Sequence, residues 1–227
     1  MAAIQNIIVG AAKVWISKTD STQAGGQPQN MPTLPATGSA NAYFATGSGA
    51  TDWRDVGFTS EGFEISYEPQ YGEVEVDQLL DSARIFKTQL RVMLRTSMNE
   101  GTLENVRIAF GQSTATQTNT VYNSSSTVAN ASTYGAAATG TNVLGLAAGA
   151  LAEAPVERSL VAVGPAPTQA GSSTERVYLA RRVLSMETVS HALRRNESTV
   201  YPVTFRCLPA DGFSNAEYGE ILDRVWS

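Results

Sequence analysis

Between Glu61 and Met98 the chain repeats its apolar residues with period two, three times in succession. Only an extended backbone puts alternate side chains on one side, so this block commits the chain to β-sheet. Glu61–Glu68 sets Phe63, Ile65 and Tyr67 against Glu64, Ser66 and Glu68. The second pattern carries acid on one face: Tyr71, Glu73, Glu75 and Asp77 lie opposite Gly72, Val74, Val76 and Gln78. The third, Ala83–Thr96, sets an apolar face (Phe86, Thr88, Leu90, Val92, Leu94) against a basic one (Lys87, Gln89, Arg91, Arg95). Pro69, Gln70 and Gly72 predict a turn or bulge between the first two patterns. An antiparallel pairing of 71–78 with 83–96 is expected to bring Glu73 and Glu75 near Lys87 and Gln89, and Tyr71 near Arg91.

Elsewhere the pattern is again mainly strands. Ile4–Ser17 reads as a strand interrupted at Gly10. Residues 19–51 are rich in Gly, Pro, Ser, Thr, Asn and Gln without periodicity, and Pro28, Pro32 and Pro35 argue against both helix and central strand. Ser97 and Glu100 have capping-box spacing, Leu103, Val106 and Phe110 follow at helical spacing, and Gly111 suits a helix end. This predicts a short helix of about three turns. Residues 112–150 are of low complexity, with a possible strand at Thr114–Tyr122. Val156–Val163 is a further strand. Arg176–Leu193 is one bent strand or a strand pair, apolar on both faces and so expected to be covered by the core on one side and by a partner on the other. Thr199–Leu208 alternates again, with Pro202 suggesting an edge. Ser214 and Glu217 repeat the capping-box spacing, leaving 214–226 open between helix and strand. The fold expected is a single mainly β domain over 1–227, a β-sandwich or partial barrel with one short packed α-helix and insertions at about 19–51 and 112–150.

Composition narrows the chemistry. Charged residues make up 16% of the chain and hydrophobic ones 42%, a weakly charged surface suited to packing against other subunits. A net charge of −5 argues against a nucleic-acid reader that depends on a basic field. The single cysteine, Cys207, rules out an intrachain disulfide and reads as a small buried hydrophobe. The single histidine, His191, lies in an apolar stretch without a Gly-x-Ser-x-Gly elbow, which argues against triad chemistry. One His and one Cys are too few for an ordinary zinc site. Glu73, Glu75 and Asp77 are spaced ~6.5–7 Å apart along a strand, within the range of glycosidase acid pairs, yet aromatic platforms are missing. They also lack the loop of a calcium site. No catalytic residue, cofactor or metal is assigned. No apolar run approaches a membrane span and no basic segment precedes Ile7–Val9, so neither membrane insertion nor secretion is expected.

Several segments resemble the major tail tube proteins of long-tailed phages, especially those infecting actinobacteria. They are Trp53-Arg54-Asp55-Val56-Gly57-Phe58-Thr59 with Glu61-Gly62-Phe63-Glu64-Ile65, then Val76-Asp77-Gln78, then Met98-Asn99-Glu100-Gly101-Thr102-Leu103-Glu104-Asn105, and finally Tyr201-Pro202-Val203-Thr204-Phe205 with Tyr218-Gly219-Glu220-Ile221. The resemblance covers roughly 50–111 and 175–226. It implies a virion subunit, assembled in the host cytoplasm, that forms hexameric rings whose inner sheet is completed between subunits. The rings stack into a tube around a tape-measure protein, between tail terminator and distal tail or baseplate proteins, and DNA passes transiently down the lumen. A long hairpin or loop reaches the next ring.

On that resemblance the charged residues Glu73, Glu75, Asp77, Lys87, Arg91 and Arg95 have three readings: a mixed ion-pair face that fixes register, an acidic lumen that repels DNA phosphate, or a contact between rings. Other possibilities are a capsid decoration or tail-tip protein, and a carbohydrate-binding β-sandwich.

Overall fold

The computed structural model describes residues 8, 10–21, 31–75, 83–113, 121–122, 143–144, 146, 154–167, 173–193, 195–196 and 198–226. The protein is mainly β. Strands β1 (Lys13–Ser17), β2 (Trp53–Asp55), β3 (Thr59–Val74), β4 (Arg84–Met98), β7 (Arg158–Pro165), β8 (Ser173–Ser185), β9 (Tyr201–Leu208) and β10 (Gly219–Trp226) form one antiparallel eight-stranded sheet. Its order is β2-β1-β7-β8-β9-β4-β3, with β10 joined to β8. Among the described residues two α-helices accompany it, α1 (Ala40–Ala45) and α2 (Leu103–Ala109). Strands β5 (Val121–Tyr122) and β6 (Val143–Leu144) form a separate pair.

Strict alternation in β1 and β7 builds two cores, one on each face of the sheet. Val14, Ile16, Leu160 and Ala162 point into a core shared with Leu94, Met98, Val203, Phe205, Cys207 and Ile108 of α2. Trp15, Val161, Val163, Val177 and Leu179 point the other way, to Ala40 and Phe44 of α1 and to Trp53. Strand β8 contributes to both cores, so its second face is covered by α1 and Trp53 of the same chain rather than by a partner, and it ends at Ser185 rather than continuing to Leu193.

Helix α1 corrects the expectation that 19–51 holds no helix. The prolines precede it. Ser39 caps it by accepting from the Ala42 amide at 3.1 Å, and Phe44 stacks on Trp15 with ring centroids 5.6 Å apart. The buried Glu175 carboxylate holds its first amide, from Ala40, at 2.8 Å. The fold therefore has a second packed helix beyond the one expected.

Helix α2 lies where predicted and ends at Gly111 (φ 63), but it has seven residues and a different cap. Ser97 is still in β4; Thr102 caps the helix, and Glu100 instead accepts from the Phe58 amide at 3.0 Å. Residues 219–226 resolve to strand, so the Ser214–Glu217 spacing caps nothing. Strand β9 is interior by topology, yet Pro202 pairs with Ser97 of β4 at a point where β8, paired only with Phe205–Leu208, has already left. The missing amide is thus tolerated as at an edge. The possible strand at Thr114–Tyr122 and the rest of 112–150 lie largely outside the described residues.

A candidate assembly surface on the long hairpin

Strands β3 and β4 form one hairpin, and β3 runs through Pro69 without turning. That is possible because β3 is an edge strand and tolerates a missing amide. The predicted irregularity is present as a bulge between Gln70 and Tyr71: Gln70 pairs with Gln89 and Tyr71 with Lys87, so Thr88 is the extra residue.

The observed register differs from the expected one, and the bulge adds one residue to the shift. Glu73 lies opposite Ile85, not Lys87 or Gln89, and Tyr71 lies opposite Lys87, not Arg91. The bulge also moves Lys87 off the basic face. Its ammonium donates to the Tyr67 hydroxyl at 3.1 Å and sits 5.6 Å from that ring's centroid, on the apolar side of the hairpin. The hydrogen bond to Tyr67 raises the Lys87 pKa above its ordinary value.

Arg91 and Arg95 stay on the polar side, where Arg91 faces Glu68 and Arg95 faces Glu64. Two acids and two bases alternate there, so the paired part of this face is balanced. Among the described residues, none of Glu64, Glu68, Arg91 and Arg95 is in an ion pair within 4.0 Å. The Arg95 Nε donates instead to the Thr204 hydroxyl at 3.4 Å, and the Ser66 hydroxyl donates to Glu68 at 2.8 Å. Glu73 and Glu75 are exposed toward the distal end, and Asp77 lies outside the described residues.

The opposite face carries Ile65, Tyr67, Tyr71 and Ile85, with Lys87 opposite Tyr71 and Glu73 opposite Ile85, and is uncovered over much of its length. Tyr67 is exposed, Tyr71 is 62% exposed and Ile85 60%. Near the hairpin root this face turns toward β10. Between them runs an open groove of about 450 Å³, lined among others by Ile65, Tyr67, Val92, Tyr178, Tyr218 and Ile221.

Strand β10 is clasped to β8 by charge. Arg176 grips Asp223 with two hydrogen bonds, of 2.5 and 2.7 Å, which lowers the Asp223 pKa and raises that of Arg176. Arg181 pairs with Glu220, and Arg224 bonds Glu175 at 2.6 Å. Sequence spacing did not reveal these pairs, because partners on β8 and β10 are far apart in the chain. Another long-range pair, Asp20 with Arg158 at 3.2 Å, is buried.

His191 lies against Tyr201 and Phe110, with ring centroids 4.8 and 6.1 Å away. Cys207 is buried, and burial pushes its thiol up to about 12. Among the described residues no group of three or more His, Cys, Asp or Glu converges as a metal site would. Among the described residues no helix is long and apolar enough to cross a membrane. In comparisons with known proteins, no family model matches the chain and no curated protein matches it.

Proposed function

We propose that the chain is a self-assembling structural subunit of a phage tail tube, in which copies join through the long hairpin into stacked rings. The observation that carries this is the uncovered apolar face of the β3–β4 hairpin, with Tyr67, Tyr71 and Ile85 exposed to water. An exposed sheet face that carries several large apolar side chains, here interrupted by Lys87 and Glu73, marks an interaction surface. Free edges support the same reading. Among the described residues, β3 pairs only with β4 and β10 only with β8. Long unpaired edges invite strand addition, and closing a sheet between subunits removes them. The tape-measure protein and the terminal tail proteins are then the other partners, and DNA is a passing cargo. The balanced pairing of Glu64 and Glu68 with Arg95 and Arg91 suits a surface that holds neither sign of polymer tightly.

Negative-stain microscopy of the purified chain over a range of concentrations tests the proposal. Rings or tubes of uniform width are expected. A chain that stays monomeric at high concentration, even with a tape-measure or initiator complex supplied, refutes it. Glu73→Lys with Glu75→Lys then separates roles. Normal tubes that release DNA slowly place these residues at the lumen, tubes that fail to lengthen place them between rings, and normal tubes with normal infectivity exclude both.

A further inference from the structure

We propose that Phe58 is the anchor of the contact between copies, seating in the groove between the hairpin root and β10 of a neighbouring subunit. This rests on the self-assembly reading above and names the contact that would hold it.

The chain displays Phe58 with unusual firmness. Both of its backbone polar groups are engaged: its amide donates to Glu100 at 3.0 Å, and its carbonyl accepts from the Asn99 amide at 2.9 Å. Left-handed residues flank it on both sides, Gly57 (φ 84) before and Glu61 (φ 63) and Gly62 (φ 76) after. The Gly57 amide is tied to Asp55 at 2.9 Å. All this holds an aromatic ring in water, 79% exposed. Glycine takes such angles freely, but Glu61 does not, and a strained non-glycine residue persists where the surrounding structure over-determines it. Rigid aromatic side chains dominate the energy of protein interfaces.

The groove is suited to receive such a ring. It is concave and largely apolar, at about 450 Å³ within the size range of protein binding sites. Its charged rim is already engaged within the chain: Lys87 with the Tyr67 hydroxyl, Glu220 with Arg181, and Glu217 with the Asn215 amide. A metabolite needs polar groups to orient it, and the charged groups at the rim are each held in part by the chain itself. A phenylalanine ring needs none. The donor surface and the acceptor surface differ, so the contact is head-to-tail, and such contacts close into rings or extend as filaments.

The test uses the full chain with Phe58→Cys and Ile221→Cys together, both at exposed positions, while Cys207 stays buried. Under mild oxidation the double variant is expected to give a ladder of disulfide-linked multimers on a non-reducing gel. Each single variant should give nothing beyond a dimer. Phe58→Ala should leave the unfolding midpoint unchanged and raise the concentration needed for assembly at least tenfold. The proposal is overturned if the double variant gives no ladder, or if Phe58→Ala assembles at the parent's threshold while the parent assembles. In that case self-assembly stands without this anchor. A parent that never assembles removes both. A small molecule retained in native mass spectra and lost on Ile221→Arg assigns the groove to another occupant and also overturns it.

Discussion

Removing Asp20 should destabilise the subunit by about 3–5 kcal/mol, the usual cost of stranding one partner of a buried ion pair. Its side chain is fully buried and that of Arg158 is 4% exposed, with Nη2 and Oδ2 3.2 Å apart. The guanidinium has other hydrogen-bond acceptors, the Gln112 carbonyl at 3.0 Å and the Ser17 carbonyl at 3.5 Å, but neither carries a charge. Burial has already pushed the Arg158 pKa down to about 10 despite the raising effect of Asp20, with Arg107 and Arg54 adding repulsion. At pH 7 the group therefore remains a cation, and Asp20→Ala leaves it uncompensated in a medium where charge is costly. For a domain of this size that loss corresponds to a fall of about 6–20 °C in Tm. Urea unfolding of Asp20→Ala, Arg158→Met and the double variant measures it, with the m-value checking that the unfolded reference is unchanged. The double variant should be more stable than Asp20→Ala alone, because the orphaned charge is gone. A loss below about 1 kcal/mol in Asp20→Ala, or a double variant less stable than that single, refutes the reasoning.

Three further outcomes can be checked on the same subunit. Gly57→Ala should cost about 2–4 kcal/mol in urea unfolding, since φ 84 disfavours a side chain and the new methyl meets the Glu100 carboxylate, which would give up its bond to the Phe58 amide; adding Glu100→Ala should make the alanine at 57 cheaper. Phe44→Ala should cost about 3–5 kcal/mol, because it empties the aromatic cluster with Trp15 and Trp53 that pins α1 to the sheet, and thermal unfolding reads this directly. Cys207 should resist alkylation in the folded protein and react on unfolding. Its folded pKa is raised from 9.0 to about 12, so the stability contributed by the buried neutral thiol is intact below pH 9.0 and declines as pH rises toward 12. The decline is at most ~1.4 kcal/mol per pH unit, and Cys207→Ala should lack that slope.

Period-two alternation made the β architecture legible, and it assigned both faces of β3, β4 and β9 well short of the bulges. It could not give register. The overall register already differs from the expected one before the bulge, and one extra residue, Thr88, then moves Tyr71 a further position, to Lys87, and carries Lys87 to the apolar face; nothing in the local pattern marks that residue over its neighbours. Helix α1 was hidden by the composition of the long segment around it. The cap Ser39 ahead of Ala40 and Phe44 was the available signal, and it outweighs prolines that lie before the helix rather than in it. At the start of α2 the choice between Ser97 and Thr102 depended on where β4 stops, which pairing with β9 decides. The charged residues singled out on the hairpin were legible as a polar face. The ion pairs that fasten β10, and the buried Asp20–Arg158 pair, join residues far apart in sequence, so only the folded topology reveals them.

Strand β8 presents Ser173–Ala180 to β10 and Arg182–Ser185 to β9 along the same edge, while its other edge is held by β7. The sheet therefore divides there like two leaves bound to one spine. The groove walls belong to different leaves, one running through β9 and β4 to β3, the other being β10 alone. Widening or narrowing the groove bends the spine at the two residues between Ala180 and Val183, where the pairing with β7 already slips register. A guest pressed between the leaves is thus felt on the far edge of β8. Its arrival should slow amide exchange along β7, a buried strand whose Leu160 forms part of the groove floor.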